Sequence, residues 1–388
     1  MSSSLSAEVV IIGGGVIGLS VARALALRGV RDICLVEKQD LATEASSAAA
    51  GMLAPQVEAN TNDEFFKLAC RSRDMYVDFA ARLLEETEVN VELDTTGTLY
   101  IALTEADAAD CENRFSWQAT AGFDVEKLIP SEALRIERSI NPLLKMALYF
   151  PRDIQVENRR LVFALANAVS RLGVNILTHT STNEIRTDKN KIVGVETARG
   201  FIGCNTVVIA AGCWSGSIRI TGNHHWIGPL MEPVRGQMVC LSAKPHLTRH
   251  VVYSHRGYIV PRQDGRLLAG STSEPNTFVN QTTAAGVASI LENAREISPG
   301  IAQLPIMDMW AGLRPKAPDG LPVLGPCDEI AGLHYATGHY RNGILLAPVT
   351  GELIAEAILE PALPLSKTSA DLAPFSPNRF SQTAVGSN

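Results

Sequence analysis

Apolar residues along this chain follow two rhythms, and the first forty positions show both. Residues 8–12 are a short β-branched run stopped by three glycines, which predicts a buried strand. Residues 16–28 carry apolar side chains at helical spacing and run into Gly29, a residue suited to a C-cap. A second apolar run at 33–36 predicts another buried strand, closing a βαβ unit of about 30 residues. Parallel strands joined by a crossover helix imply α/β layers. The stretch 9–27 does not read as a signal peptide or membrane span, because three consecutive glycines and Arg23 interrupt it and no basic segment precedes it.

Further on, residues 65–84 predict one long helix with Phe65, Leu68, Met75, Phe79 and Leu83 on one face. Strands are predicted at 98–103, 174–177, 192–197 and 206–211, with several short ones between 237 and 270. Helices are predicted at 105–120, 161–171, 284–297 and 349–359. Beyond 361 the chain is rich in Pro, Ser and Asn without periodicity, which predicts a poorly ordered terminus.

Composition narrows the class. The 388 residues leave room for two domains and a large core, and 46% hydrophobic with 19% charged residues is a globular balance. A net charge of −7 and the absence of any Lys/Arg run count against a nucleic-acid partner. The seven cysteines are scattered, odd in number and never spaced C-x-x-C, so neither a disulfide framework nor a metal site is expected. Reduced thiols imply the cytoplasm.

The first candidate chemistry is Gly13-Gly14-Gly15-Val16-Ile17-Gly18, a G-x-G-x-x-G run between the first strand and its helix. Gly13 permits a tight turn, Gly15 lets backbone approach a pyrophosphate, and Gly18 lets helix and sheet pack closely. Glu37 lies 19 residues beyond Gly18 at the end of the second strand, where a carboxylate accepts ribose hydroxyls and disfavours a 2′-phosphate. A glycine turn in an unrelated α/β domain leaves Glu37 unexplained. Dinucleotide binding follows, with FAD and NAD both open. Similar segments recur at 150–215 and near the end of the chain. This predicts a discontinuous cofactor domain (6–88, 150–222, 308–362) interleaved with a substrate domain (89–149, 223–307) and a tail (363–388).

Two small-residue segments, 45–55 and 206–215, suit close approach of a bulky ring system. With Pro233-Val-Arg-Gly-Gln237, Tyr258-Ile-Val-Pro-Arg262, Trp310-Ala-Gly-Leu-Arg-Pro315 and the run 338–348, they resemble the D-amino-acid oxidase family of flavoproteins over about residues 7–360. The resemblance implies a Rossmann-type, glutathione-reductase-like FAD domain and an α+β substrate domain built on an antiparallel sheet. It implies FAD held without a covalent bond, because Gly312 stands where the related sarcosine oxidases have their attachment cysteine. The expected cofactor residues are Gly13, Gly15, Val16, Ile17, Gly18, Glu37 and Lys38, then Ser46, Ser47, Ala50, Gly51 and Met52. Thr182, Ala211, Gly212 and Trp214 follow in mid-chain, and His339, Tyr340, Arg341, Asn342, Gly343 and Ile344 near the end.

The same resemblance assigns the substrate carboxylate to Arg314 and Tyr258, with Arg341 beside the ring; a planar guanidinium suits bidentate carboxylate recognition. His339 is not required as a base. It implies oxidative deamination of a small amino acid, glycine first, by hydride transfer from Cα to flavin N5. Molecular oxygen would be the acceptor, giving hydrogen peroxide, and the imine would hydrolyse to glyoxylate and ammonia or feed thiamine thiazole synthesis. A homotetramer is also implied. Two positions depart from the pattern: Ser273 replaces a pocket methionine, and Thr182 replaces a valine whose main chain meets the adenine. Ser273 keeps sarcosine, D-proline and small D-amino acids open as substrates, and a dehydrogenase with another electron acceptor stays open too. An enzyme acting on tRNA bases and a non-catalytic nucleotide-binding module are the remaining alternatives.

Overall fold

The structure, a computed structural model, describes residues 5–221, 230–360 and 367–380. The apolar runs near the N-terminus lie at the centre of a six-stranded sheet. Its order is Val323–Pro326, Leu333–Thr337, Thr206–Ile209, Val9–Ile12, Ile33–Val36, Asn175–Leu177. All neighbours are parallel except Val323–Pro326, an antiparallel edge strand. Strand alternation decides what covers each face. Val9 and Ile11 pack with helices Val16–Leu27, Asn158–Arg171 and Gly343–Leu359 in one core. Val10 and Ile12 pack with Ile185, Val195 and Ile202 of a five-stranded sheet on the opposite face.

An eight-stranded, largely antiparallel sheet forms the other large unit. Its order is Ile306–Lys316, Glu232–Ser242, Arg266–Gly270, Gly257–Pro261, Val251–Ser254, Thr98–Ala102, Met146–Phe150, Glu126–Leu128. Helix Ala284–Ile297 covers one face through Ile290, Ala294 and Ile297. The opposite face carries Met238, Cys240, Tyr258 and Val260, which pack with Ala50. The chain is therefore α/β with mixed sheets, as expected. The boundary read at 308 falls inside the Ile306–Lys316 strand, which pairs along its length with Glu232–Ser242.

Three expectations need correction. The helix read at 65–84 is two helices, Glu64–Asp74 and Tyr76–Thr87, with the Met75 N–H shared between Arg71 O and Ser72 O at 3.2 Å each. The helix read at 349–359 begins at Gly343 and contains Pro348. Pro348 has no N–H for Ile344 O, a loss that normally ends a helix. The Tyr76 hydroxyl donates to that carbonyl instead, and the Ser72 hydroxyl donates to Leu345 O at 2.6 Å. The kinked pair and the proline helix therefore complete each other. Lastly, the segment read as a structureless tail forms helix Lys367–Leu372 and two further turns, Ala373–Phe375 and Pro377–Phe380. Leu372 and Phe375 are buried in the helical core, and Arg379 pairs with Asp319 at 2.7 Å. Residues 361–366 and 381–388 of that segment, like 222–229, lie outside the described residues. Among the described residues no helix is long and apolar enough to cross a membrane.

Candidate active site

Sterics build the glycine turn. Gly13 has φ +113°, and a Cβ there would lie 2.4 Å from Ala210 O. A Cβ on Gly18 would lie 1.9 Å from Gly13 O, so only glycine lets the helix sit this close to the strand. Gly15, at the start of helix Val16–Leu27, offers no side-chain cap of its own, and a helix N-terminus of this kind suits an anion. The Ser46 hydroxyl accepts from Val16 N–H at 3.0 Å. Glu37 is held by Gly14 N–H at 2.7 Å and Gln39 N–H at 2.9 Å, and its two oxygens keep lone pairs for further donors.

A cavity of about 360 Å³ runs from this turn to the eight-stranded sheet. Every residue expected to hold the cofactor lines it except Gly18 and Ser47. Gly18 acts one layer behind, through packing. Ser47 faces away: its hydroxyl donates to Ala42 O and its carbonyl accepts from Asn158 at 3.1 Å. Near the turn, the Lys38 ammonium lies 3.1 Å from the Trp214 ring centroid and 3.9 Å from Glu44. Burial lowers the Lys38 pKa and raises that of Glu44. A Cβ on Gly312 would meet the Ala48 methyl at 2.4 Å, so no cysteine fits there without movement.

Arg314 and Tyr258 line the far end of the same cavity. Arg314 donates to Thr272 O at 3.1 Å and Ser271 Oγ at 2.7 Å. Its guanidinium lies against Gly236, where an added Cβ would be 2.2 Å from Nη2. Tyr258 is buried, and among the described residues its hydroxyl donates to the Met238 sulfur, 3.5 Å away. Arg341 differs: its Nε is 3.6 Å from Glu58 Oε1, and its Nη2 donates to the Tyr253 hydroxyl at 3.2 Å. That hydroxyl donates in turn to Glu58 Oε1 at 3.1 Å. The Glu58 carboxylate holds the Arg341 pKa above its ordinary value, and burial holds the Tyr253 phenol well above its own. His339 is buried against Thr350 at 3.0 Å, and burial pulls its pKa down to about 3.

Ser273, expected to make the pocket more polar, is exposed and does not line the cavity. The strand Arg266–Gly270 ends before it, and Ser271 turns toward Arg314 instead. Sequence reasoning missed Glu58 and Tyr253. Glu58 lies three residues beyond the 45–55 segment already expected to approach the ring, and that proximity was its available signal. Tyr253 gives none, since only hairpin register sets it opposite Tyr258, with ring centroids 5.6 Å apart.

Comparison with known proteins identifies the family and the fold. The family described as FAD dependent oxidoreductase (DAO) matches residues 8–357. The chain is 38% identical over 374 residues to a glycine oxidase of Geobacillus kaustophilus, covering 96% of this chain and 97% of that one. The crystal structure of glycine oxidase from Geobacillus kaustophilus superposes with a TM-score of 0.90 at 36% identity, covering 97% and 99% of the two chains. The bifunctional protein ThiO/ThiG of Trichormus variabilis is 33% identical over 98% of this chain and 56% of its own length.

Proposed function

The chain belongs to the DAO family of FAD-dependent oxidoreductases and is an FAD-dependent amino-acid oxidase; from that premise we propose that it deaminates glycine and other small amino acids or secondary amines. The glycine cradle, the helix N-terminus behind it and the carboxylate of Glu37 suit the ADP half of FAD, and the walls at Ala50–Met52 and 339–344 suit its ring. When bound, FAD supplies the two-electron acceptor for the hydride that leaves Cα.

One observation carries the substrate reading. Arg314 is a cation in the cavity whose hydrogen-bond acceptors, Thr272 O and Ser271 Oγ, are both neutral. Among the described residues no carboxylate lies within ion-pair distance of it, whereas Arg341 already has Glu58. A carboxylate substrate completes Arg314, and the Tyr258 hydroxyl adds a neutral donor. Two anchors on one carboxylate fix the direction of the Cα–H bond, so these residues work mainly by orientation. His339 stays neutral and buried and takes no proton. Glycine and the small amino acids are favoured because Tyr258, Tyr253 and Met52 crowd this end of the cavity. The product imine hydrolyses to glyoxylate and ammonia, and a role in thiamine thiazole formation belongs to the same proposal.

The test is anaerobic bleaching of the bound flavin by glycine, sarcosine, D-alanine and D-proline, followed by readmission of air. Bleaching with peroxide release on reoxidation supports an oxidase of small amino acids. Bleaching without peroxide moves the reading to a dehydrogenase with another acceptor. No bleaching by any of the four overturns it.

A further inference from the structure

Strand Gly257–Pro261, which carries Tyr258, runs directly into Arg262, whose side chain is 3% exposed and lies behind the cavity wall. Its Nη1 donates to Gln155 Oε1 and Val156 O, both at 3.0 Å. Its Nη2 donates to Ala50 O at 2.8 Å and Asn158 Oδ1 at 3.1 Å. All four acceptors are neutral. The carboxylate within reach is Glu157, whose Oε1 is 4.0 Å from Nε and 3.6 Å from Arg266, and whose Oε2 is taken by Arg160 N–H. Burial draws the Arg262 pKa down to about 10, which leaves it charged at neutral pH. A buried cation whose hydrogen bonds all go to neutral groups, with Glu157 only at 4.0 Å, is costly to keep, and its attachments suggest what it is kept for.

The backbone it grips is the cavity wall. Ser46 O and Ser47 O accept from Asn158 at 2.9 and 3.1 Å, and Ala48 O accepts from Trp310 at 3.0 Å. Ala50 O goes to Arg262, and Gly51 O accepts from Val156 N–H at 2.9 Å. There is no slack at the last of these: a Cβ on Gly51 would lie 2.0 Å from Val156 O and 3.1 Å from Arg262 Nη2.

We propose that Arg262 is a positioning residue for the flavin. It sets how far the Ala50–Met52 backbone projects into the cavity, and it places a positive charge directly behind that backbone. Reduced FAD, the more negative form, is then held more tightly relative to oxidised FAD than a neutral wall would hold it. This rests on the reading above that the ring lies against Ala50–Met52.

The test compares wild-type protein with R262K and R262Q, measuring FAD affinity of the apoprotein and the two-electron midpoint potential of the holoenzyme. R262Q is expected to lower the reduced-to-oxidised affinity ratio about tenfold, a fall of about 30 mV in potential. R262K is expected to keep the ratio, because it keeps the charge. It should still weaken FAD binding about tenfold, because one ammonium cannot span Ala50 O and Val156 O. With glycine as substrate, kcat should fall in both variants while KM stays. A wild-type potential in R262Q, or wild-type FAD affinity in R262K, overturns the proposal. If R262Q yields no folded protein, R262K decides alone through FAD affinity. Affinity and potential are read with FAD alone, so a wild-type protein that oxidises no amine defeats the functional reading and leaves this test standing.

Discussion

Arg314 keeps its charge available because Thr272 O and Ser271 Oγ are neutral, whereas Arg341 shares its charge with Glu58 and the Tyr253 hydroxyl. Under the proposed function, that difference makes Arg314 the substrate anchor and Arg341 a group of the cavity wall. Replacing Arg314 by leucine removes two charge-assisted hydrogen bonds to substrate, at about 2 kcal/mol each. We expect R314L to reduce the rate of flavin reduction at fixed glycine by about three orders of magnitude with FAD affinity unchanged. Stopped-flow reduction and FAD titration check the two halves, and wild-type reduction would remove Arg314 from the site. Arg314 was legible in the sequence only through the resemblance of its short motif, with Gly312 and Pro315, to the family's pattern. Glu58 was not singled out, because a carboxylate acquires this role only when a distant arginine arrives beside it. The Ser273 expectation erred for a related reason: along an irregular turn, the offset of two residues from Ser271 to Ser273 decides which side chain points inward.

Helix Gly343–Leu359 owes its first turns to other elements. Pro348 costs it one internal hydrogen bond, and Ser72 and Tyr76 supply the substitutes from the neighbouring helix pair. Ser72 also accepts from Val349 N–H at 3.4 Å, so one hydroxyl is inserted into the helix ladder. Removing it in S72A leaves Leu345 O buried without its donor, at about 1–3 kcal/mol. A urea midpoint shift of that size is expected, with the m-value unchanged; an unshifted midpoint would show that the helix start needs no such support. Local pattern puts the helix after the proline, because proline is favoured in a first turn and disfavoured in an interior. The contrary outcome depends on hydroxyls about 270 residues away in sequence. The N-terminal βαβ unit, by contrast, was read with strand Ile33–Val36 at its observed bounds, since its turn, helix and strands are contiguous.

At the scale of the molecule, burial of two histidines links stability to pH. His334 and His339 are both buried, and burial lowers their pKa values from 6.5 to about 4 and about 3. Each is therefore protonated more readily in the unfolded chain than in the folded one. Their contribution is complete above pH 6.5 and is lost as pH falls below it, at about 1.4 kcal/mol per pH unit for each histidine. We expect the melting temperature to drop between pH 7 and pH 5, and H339Q to show a shallower drop; a flat wild-type profile would contradict the neutral buried state. The C-terminal segment gives a second whole-molecule prediction. Phe375 is 2% exposed within the helical core, so F375A should cost about 3–5 kcal/mol. A free tail would lose nothing, and urea unfolding separates the two. By itself the sequence determined the ADP cradle from Gly13 to Glu37, because every part of it lies within one local supersecondary unit. It marked Arg314 and Tyr258 only through the resemblance of the motifs around them to the family's. Only the tertiary structure decided which arginine keeps a charge unmatched among the described residues, which carbonyls of the 46–51 wall are held by Arg262 and Asn158, and that Leu372 and Phe375 pack into the helical core. Those outcomes turn on hydrogen bonds and burial between segments far apart in sequence, and no periodicity or spacing along the chain encodes them.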